Sequence, residues 1–210
     1  MFYLLHNPET HAHVTAEVRS TFSDVEEIRS GPNLNSCNYL RACLDEAMRL
    51  SPPITGMIPR EVLPGGIIID GHRIPAKTIV GTPIYTIHHN PLYYPEPFSY
   101  KPFRWIVSEK RSEESVRLAR SAFCPFSIGP RQCIAKGMAY MEITIALART
   151  IFLYDMQLKV GSRLGEGGAQ KATWGRHRSG EYQLTEWVTA FKEGPEVEFK
   201  VHSPGIAIRK

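Results

Sequence analysis

The sequence predicts an α+β fold that is mainly helical and carries small β-sheets. Residues 39–50 repeat apolar side chains at helical spacing and end before two prolines, and residues 137–154 form a long, amphipathic apolar run. Only short strand-like runs lie between them, at 55–60, 66–69 and 78–85, separated by the turn signals Pro-Gly-Gly and Asp-Gly. Two long helices with short strands between them favour a helical domain with minor sheets.

The composition is that of an ordinary globular protein, with 42% hydrophobic and 22% charged residues in a chain of 210. The net charge of +4 is spread without a basic cluster, so nucleic-acid binding is not supported. The four cysteines show no C-x-x-C spacing, which argues against a zinc site or a disulfide framework and suits a reducing compartment. No run of 18 apolar residues and no signal-peptide layout are found.

The first helices are predicted from their start signals. Asn7 can cap a helix with Pro8 in its first position, so we expect a helix up to about residue 21. Ser23 and Glu26 have the spacing of a capping box for a short helix that follows.

The C-terminal region is predicted as strands and loops. Residues 155–160 are strand-like, and residues 161–180 form a glycine-rich, flexible loop. Two further strands are expected at 182–191 and 197–201, joined as a hairpin by residues 192–195.

The strongest chemical signal is the stretch Phe-Ser-Ile-Gly-Pro-Arg-Gln-Cys-Ile-Ala at 126–135, immediately before the long apolar helix. Gly129 permits a tight turn, and Pro130 fixes the next backbone angle. A helix N-terminus and the Arg131 guanidinium both favour a thiolate at Cys133, which can ligate a soft or borderline metal such as haem iron. The alternative is a buried structural cysteine that caps the helix.

A second motif is the pair Glu46 and Arg49, which stand three residues apart and so share one face of a helix that ends at Ser-Pro-Pro. The same E-x-x-R spacing at 26–29 and 114–117 reads as exposed charge pairs. A third motif, Pro-Phe-Arg-Trp, occupies residues 102–105, where the alternative interpretation is a proline-rich surface meander.

Together these motifs resemble those of the cytochrome P450 family, in the spacings F-x-x-G-x-R-x-C, E-x-x-R and P-x-R-W. The resemblance covers nearly all of residues 1–210 and implies the C-terminal, haem-binding half of that fold, without its long central helix. The segment that carries an acid-threonine pair on that helix is not found, so the resemblance assigns no catalytic residue to this chain.

The resemblance implies that Cys133 is the axial ligand of the iron of haem b. It places Arg131 and Arg60 near the haem propionates, and the alternative for Arg60 is an ordinary edge-strand arginine. The other implied cofactor-binding positions are Phe126, Gly129 and Ala135. The family usually has glycine where this chain has Ala135, and alanine is the smallest possible change.

The resemblance also implies a structural network in which Arg104 joins Glu46 and Arg49. A buried carboxylate between two guanidiniums is stable only if every group is paired. The family commonly has an acid before this arginine, and here that position is Phe103. The neighbouring pair His88 and His89 makes a poor chelate because adjacent side chains point apart, so we interpret it as structural.

The activity implied is that of a haem-thiolate monooxygenase, or a fragment of one. Such an enzyme inserts one oxygen atom from O2 into a small apolar or aromatic molecule, with electrons from NADPH through cytochrome P450 reductase. The closest motifs are those of fungal enzymes of aromatic or secondary metabolism. Complete relatives are expected at the cytosolic face of the endoplasmic reticulum, and their membrane anchor is not expected in this chain.

Three alternatives remain open at the level of sequence. One is a truncated, catalytically inactive remnant. Another is a haem-binding or partner-binding module without oxygen chemistry. The last is a globular domain without haem, in which Cys133 is structural.

Overall fold

The computed structural model describes residues 1–168, 175–187 and 189–203, and it is mainly helical. The helices predicted near residues 8–21, 39–50 and 137–154 are all present. In the described residues the helices are α1 (Phe2–Leu5), α2 (Pro8–Thr21), α3 (Pro32–Asn35), α4 (Asn38–Leu50), α5 (Ile84–His88), α6 (Glu113–Ser121) and α7 (Lys136–Leu153). Short 3-10 turns lie at Val25–Glu27, Pro102–Trp105 and Gly129–Arg131.

The strands form separate antiparallel pairs, which confirms the prediction of small sheets. The described strands are β1 (Arg60–Glu61), β2 (Ile67–Ile69), β3 (His72–Ile74), β4 (Ile79–Val80), β5 (Tyr154–Leu158), β6 (Leu184–Thr185), β7 (Phe191–Lys192) and β8 (Val197–Val201). The pairs are β1 with β4, β2 with β3, β5 with β8 and β6 with β7.

Two strands predicted before the cysteine stretch are much shorter in the structure. Of residues 55–60 and 78–85, only β1 and β4 pair over two residues each, with a single further bridge between Met57 and Pro83. Pro59 has no N–H to donate to a ladder, and Pro83 caps α5, so that residues 84–88 are helical. Prolines therefore limit the pairing on both sides.

The predicted C-terminal hairpin between 182–191 and 197–201 is wrong. β8 pairs instead with β5, over five residues from Tyr154 opposite Val201 to Leu158 opposite Val197. The first predicted strand divides into β6 and β7, which pair with each other. The β5–β8 register places the Tyr154 ring against Phe199, a side-chain contact that hydropathy alone does not reveal.

The predicted glycine-rich loop at 161–180 is described on both sides of residues 169–174, which lie outside the described residues. Glu166 of this loop and Tyr182, two residues beyond it, contact residues in or directly after α1. Glu166 pairs with His6 at 3.0 Å, and Tyr182 stacks on Phe2 with ring centroids 4.4 Å apart.

Helix α4 is the central element, because α2, α7 and the 3-10 turn at Pro102–Trp105 all pack on it. A carboxylate from another helix caps its first turn. Glu17 of α2 accepts hydrogen bonds from the N–H groups of Tyr39 and Leu40, at 2.9 and 2.7 Å. An acid at a helix N-terminus satisfies free N–H groups and opposes the helix dipole, so this contact fixes α4 against α2.

The predicted helix start at Pro8 is confirmed, but the capping contacts differ from those expected. The Asn7 side chain donates to the Tyr3 carbonyl instead of capping α2. The capping box lies one residue later than predicted. Asp24 accepts from the Glu26 N–H, and the Glu27 carboxylate accepts from the Ser23 N–H. Asp24 thus takes the role expected of Ser23.

Large apolar side chains of α7, including Met138, Met141 and Ile143, are exposed, as are those of β2. No helix in the described ranges combines the length and the apolar character needed to cross a membrane.

Candidate functional site

The cysteine loop, defined here as residues 124–135, connects α6 to α7 and is closed by its own backbone. The Cys133 N–H donates to the Phe126 carbonyl at 2.9 Å, and the Ser127 N–H donates to the Cys124 carbonyl at 2.9 Å. Gly129 has a φ of 76°, in the left-handed region that favours glycine. These contacts hold the backbone on both sides of the turn, and the Cys133 side chain is left exposed.

The outer side of the cysteine loop is open and carries two large exposed apolar side chains. Ile134 is fully exposed and Ile128 largely so. A Cβ built on Gly129 would meet no atom within 4 Å, so glycine is required here for its φ and not for space. An exposed thiol among exposed apolar side chains fits a flat, apolar, metal-containing group such as haem.

Two arginines that the resemblance assigns to the haem propionates, Arg131 of the cysteine loop and Arg60 of β1, have exposed guanidinium groups. Arg131 and Arg60 are both exposed, and within the described ranges neither forms an ion pair with a carboxylate. In the described part of the chain, the hydrogen bond of the Arg60 guanidinium goes to the neighbouring Pro59 carbonyl, at 2.9 Å. Unpaired guanidiniums of this kind fit the carboxylates of haem propionates.

Ala135 stands directly before α7 and has a φ of −83°. This is an ordinary backbone angle for an L-residue, so the position does not require glycine for its conformation. Because the Ala135 side chain is exposed, its methyl group faces no crowded neighbour in the described chain.

The acid-arginine pair forms a buried cluster with α4 at its centre. Five donors converge on the Glu46 carboxylate, and all three side chains of the Glu46–Arg49–Arg104 set are fully buried. Arg49 binds it with Nε and Nη2, both at 2.9 Å, and Arg104 with Nε at 3.2 Å. The other two donors are the Trp105 indole at 3.0 Å and the Lys101 N–H at 3.1 Å.

The two guanidiniums of this cluster are also satisfied by backbone carbonyls. Arg49 donates further to the carbonyls of His88, Pro97 and Ser99, so all five of its N–H groups are used. Arg104 donates to the carbonyl of Pro95 at 2.9 Å. Burial lowers the pKa of Arg104, and the adjacent Glu46 opposes this shift. A buried ion cluster with this many partners fixes the meander at 95–105 on α4.

Sequence reasoning missed two of the five donors, Trp105 and Lys101. The role of Trp105 could have been predicted, since it directly follows the arginine in P-x-R-W. The Lys101 donor could not, because every residue except proline has a backbone N–H. Phe103 lies outside the cluster. It is 52% exposed and its ring contacts those of Tyr39 and His13, so the absent acid removes no partner of Glu46.

His88 connects the buried cluster to the cysteine loop. Its carbonyl accepts from Arg49 Nη1 at 2.8 Å, and its Nε2 accepts from the Cys124 N–H at 3.0 Å. Burial, reinforced by Arg49 and His89, lowers the pKa of His88 to about 3, so the ring is neutral and Nε2 can act as an acceptor.

His89 has a structural environment as well. Its ring stacks on Tyr85 and Phe98, and burial lowers its pKa to about 4. Among the described residues no group of three potential metal-ligating His, Cys, Asp or Glu side chains occurs.

The sequence of this chain is similar to those of known cytochrome P450 proteins. A family model described as Cytochrome P450 matches residues 1–164. Cytochrome P450 monooxygenase AKT7 of Alternaria alternata is 47% identical over 204 residues, covering 95% of this chain and 39% of the relative. Cytochrome P450 monooxygenase apf8 of Gibberella fujikuroi is 44% identical over 209 residues, covering 96% and 54%. The chain therefore spans about half or less of the length of these fungal relatives.

Proposed function

The chain belongs to the cytochrome P450 family, and we propose that it forms the haem-ligating half of a haem-thiolate monooxygenase. The observation that carries this proposal is the exposed Cys133 thiol on a loop that is closed by its own backbone and that also exposes the apolar side chains of Ile128 and Ile134. A structural cysteine would instead be buried, as Cys37 and Cys43 are.

In the proposed holoprotein Cys133 holds the haem iron, and Arg131 and Arg60 bind the propionates. Phe126, Gly129 and Ala135 complete the protein surface on this side of the haem. When bound, a thiolate-ligated haem supplies the oxygen chemistry, since electron donation from sulfur favours O–O cleavage. The part of this chain is to present the thiolate, to orient the haem through its carboxylates and to exclude water from the sulfur side.

The proposed reaction is insertion of one oxygen atom from O2 into an organic small molecule. Electrons would come from NADPH through cytochrome P450 reductase. We assign the substrate to small apolar or aromatic molecules of secondary or aromatic metabolism, at the cytosolic face of the endoplasmic reticulum. The names of the fungal relatives support the reaction class, because they identify monooxygenases.

A second candidate is an inactive remnant that binds haem or a partner without oxidising a substrate. The observation that favours it is an apolar surface on α7, where the side chains of Met138, Met141 and Ile143 are exposed. An exposed apolar face of this kind is typical of a surface that another part of a protein covers.

Titrating the purified chain with haem, measuring bound haem per chain, and then measuring NADPH-driven product formation with a reductase tests whether the chain binds haem and whether it acts alone. For the chain alone we expect weak haem binding and no product, because Cys133 and the neighbouring Ile128 and Ile134 lie open to water. Stoichiometric haem with coupled turnover would show that this half is a self-sufficient enzyme. A folded chain that binds no haem would contradict the monooxygenase proposal and would leave only a remnant that binds a partner.

A further inference from the structure

Helix α4 carries a second buried acid, Asp45, directly beside Glu46. Its side chain is only 2% exposed, yet it does not contact Arg49 or Arg104. Because adjacent residues on a helix point in different directions, Asp45 faces α7 while Glu46 faces the meander at 95–105. A buried carboxylate needs partners of its own.

The partners of Asp45 are Tyr140 of α7 and Arg41 of α4. The Tyr140 hydroxyl donates to Asp45 Oδ1 at 2.8 Å. Arg41 Nε donates to both carboxylate oxygens, at 3.1 and 3.2 Å. The guanidinium of Arg41 also lies over the Tyr140 ring, 3.7 Å from its centroid. Each of the three side chains therefore contacts the other two.

The Tyr140 ring leads from this triad to the cysteine loop. Its centroid lies 5.2 Å from that of Phe126, with the rings tilted by 50°. The Phe126 carbonyl accepts the Cys133 N–H at 2.9 Å. A continuous path of contacts therefore runs from Asp45 through Tyr140 and Phe126 to the backbone of Cys133.

Tyr140 is suited to act as a permanent donor in this path. Burial and the neighbouring Asp45 carboxylate both raise the pKa of its phenol, so the hydroxyl keeps its proton. The start of the cysteine loop is held separately by His88, which accepts from the Cys124 N–H. The loop thus has an anchor on α5 for its first residue and one on α7 for the Phe126 ring.

We propose that Asp45, Arg41 and Tyr140 form a positioning unit that holds Phe126 and, through it, the backbone of Cys133. None of these three residues contacts the Cys133 sulfur in the path described, so their role is to restrict the loop and not to take part in chemistry. The effect of this unit on haem ligation rests on the proposed function. Its effect on the order of the cysteine loop is independent of that function.

The first test is amide hydrogen exchange of the 210-residue chain without haem, in the variants Tyr140→Phe and Asp45→Asn. Tyr140→Phe keeps the ring against Phe126 but removes the donor to Asp45. Loss of one buried hydrogen bond should raise exchange in residues 124–135 about three- to tenfold. Asp45→Asn keeps an acceptor for Tyr140 but loses the pairing with Arg41, so its effect should be smaller.

Tyr100→Phe is the matched control. It also removes a partly buried tyrosine hydrogen bond, to the Cys43 carbonyl at 3.0 Å, without contacting the cysteine loop. It should leave exchange at 124–135 within about twofold of the parent chain. No change in Tyr140→Phe, or an equal change in Tyr100→Phe, would overturn the proposal.

The second test uses the chain loaded with haem and reduced in the presence of CO, in which thiolate ligation shifts the Soret band to the red. The fraction of protein with the shifted band should fall in Tyr140→Phe and stay unchanged in Tyr100→Phe. A faster-exchanging Tyr140→Phe loop with an undiminished shifted band would contradict the role in ligation. If the parent chain itself gives no shifted band, the proposed function fails, and the exchange measurement still decides the positioning role.

Discussion

Replacing Glu46 by glutamine should strongly destabilise the fold. The change keeps the shape of the side chain but removes the charge on which Arg49 and Arg104 both depend, and all three side chains are fully buried. Glutamine offers one acceptor oxygen where five donors now converge, and its NH2 group would face some of them. Charge-assisted hydrogen bonds contribute about 1.5–3 kcal/mol each, and breaking a buried ion pair typically costs about 3–5 kcal/mol.

We therefore expect Glu46→Gln, and likewise Glu46→Ala or Arg49→Ala, to lower the free energy of unfolding by about 3–5 kcal/mol in urea unfolding followed by circular dichroism. The chain contains a matched control, because Glu114 and Arg117 have the same i,i+3 spacing but are largely exposed and 3.9 Å apart. Glu114→Gln should change the free energy of unfolding by less than about 0.5 kcal/mol. A Glu46→Gln variant that unfolds at the same urea concentration as the parent would refute the reasoning.

Three further predictions concern stability. The pKa values of His88 and His89 are lowered to about 3 and about 4, mainly by burial. As the pH falls, these two histidines are therefore protonated in the unfolded chain before they are protonated in the folded one. Stability should then fall as the pH drops from about 6.5 towards 4, by about 1.4 kcal/mol per pH unit for each histidine, and His89→Gln should halve that slope in urea titrations. Glu17→Gln should cost about 1–2 kcal/mol by weakening the cap of α4 in thermal unfolding, whereas an equal loss in Glu9→Gln would argue against a capping role. Phe103→Glu should leave the unfolding midpoint nearly unchanged, because this side chain is outside the Glu46 cluster, and a large shift would show that it is coupled to that cluster.

The long helices and the family were predictable from the sequence because both depend on local patterns. Apolar periodicity gave α4 and α7, and the fixed spacings around Cys133 and Glu46 indicated the cytochrome P450 family, which the comparisons confirm. Local patterns also predicted the start of α2 at Pro8. Each of these features depends on residues close together in the chain.

What could not be predicted depends on contacts between distant residues. The sequence of a short strand does not specify its partner, so local patterns could not predict that β8 pairs with β5. The Trp105 indole and the Asp45–Tyr140 hydrogen bond were missed for the same reason, since the latter joins residues 95 positions apart. His88 was interpreted as structural from the sequence, but its hydrogen bond to the Cys124 N–H could not be predicted without the fold.

The central claim is that Cys133 is the thiolate ligand of haem iron, and the CO-bound ferrous spectrum of the haem-loaded chain tests it most directly. Cys133→Ser should abolish the red-shifted Soret band, because a neutral hydroxyl cannot replace an anionic sulfur ligand. Cys124→Ser, in the same loop, should keep that band, since Cys124 contributes its backbone N–H and carbonyl to the loop's hydrogen bonds. Survival of the shifted band in Cys133→Ser would contradict the account, because another residue would then be the ligand.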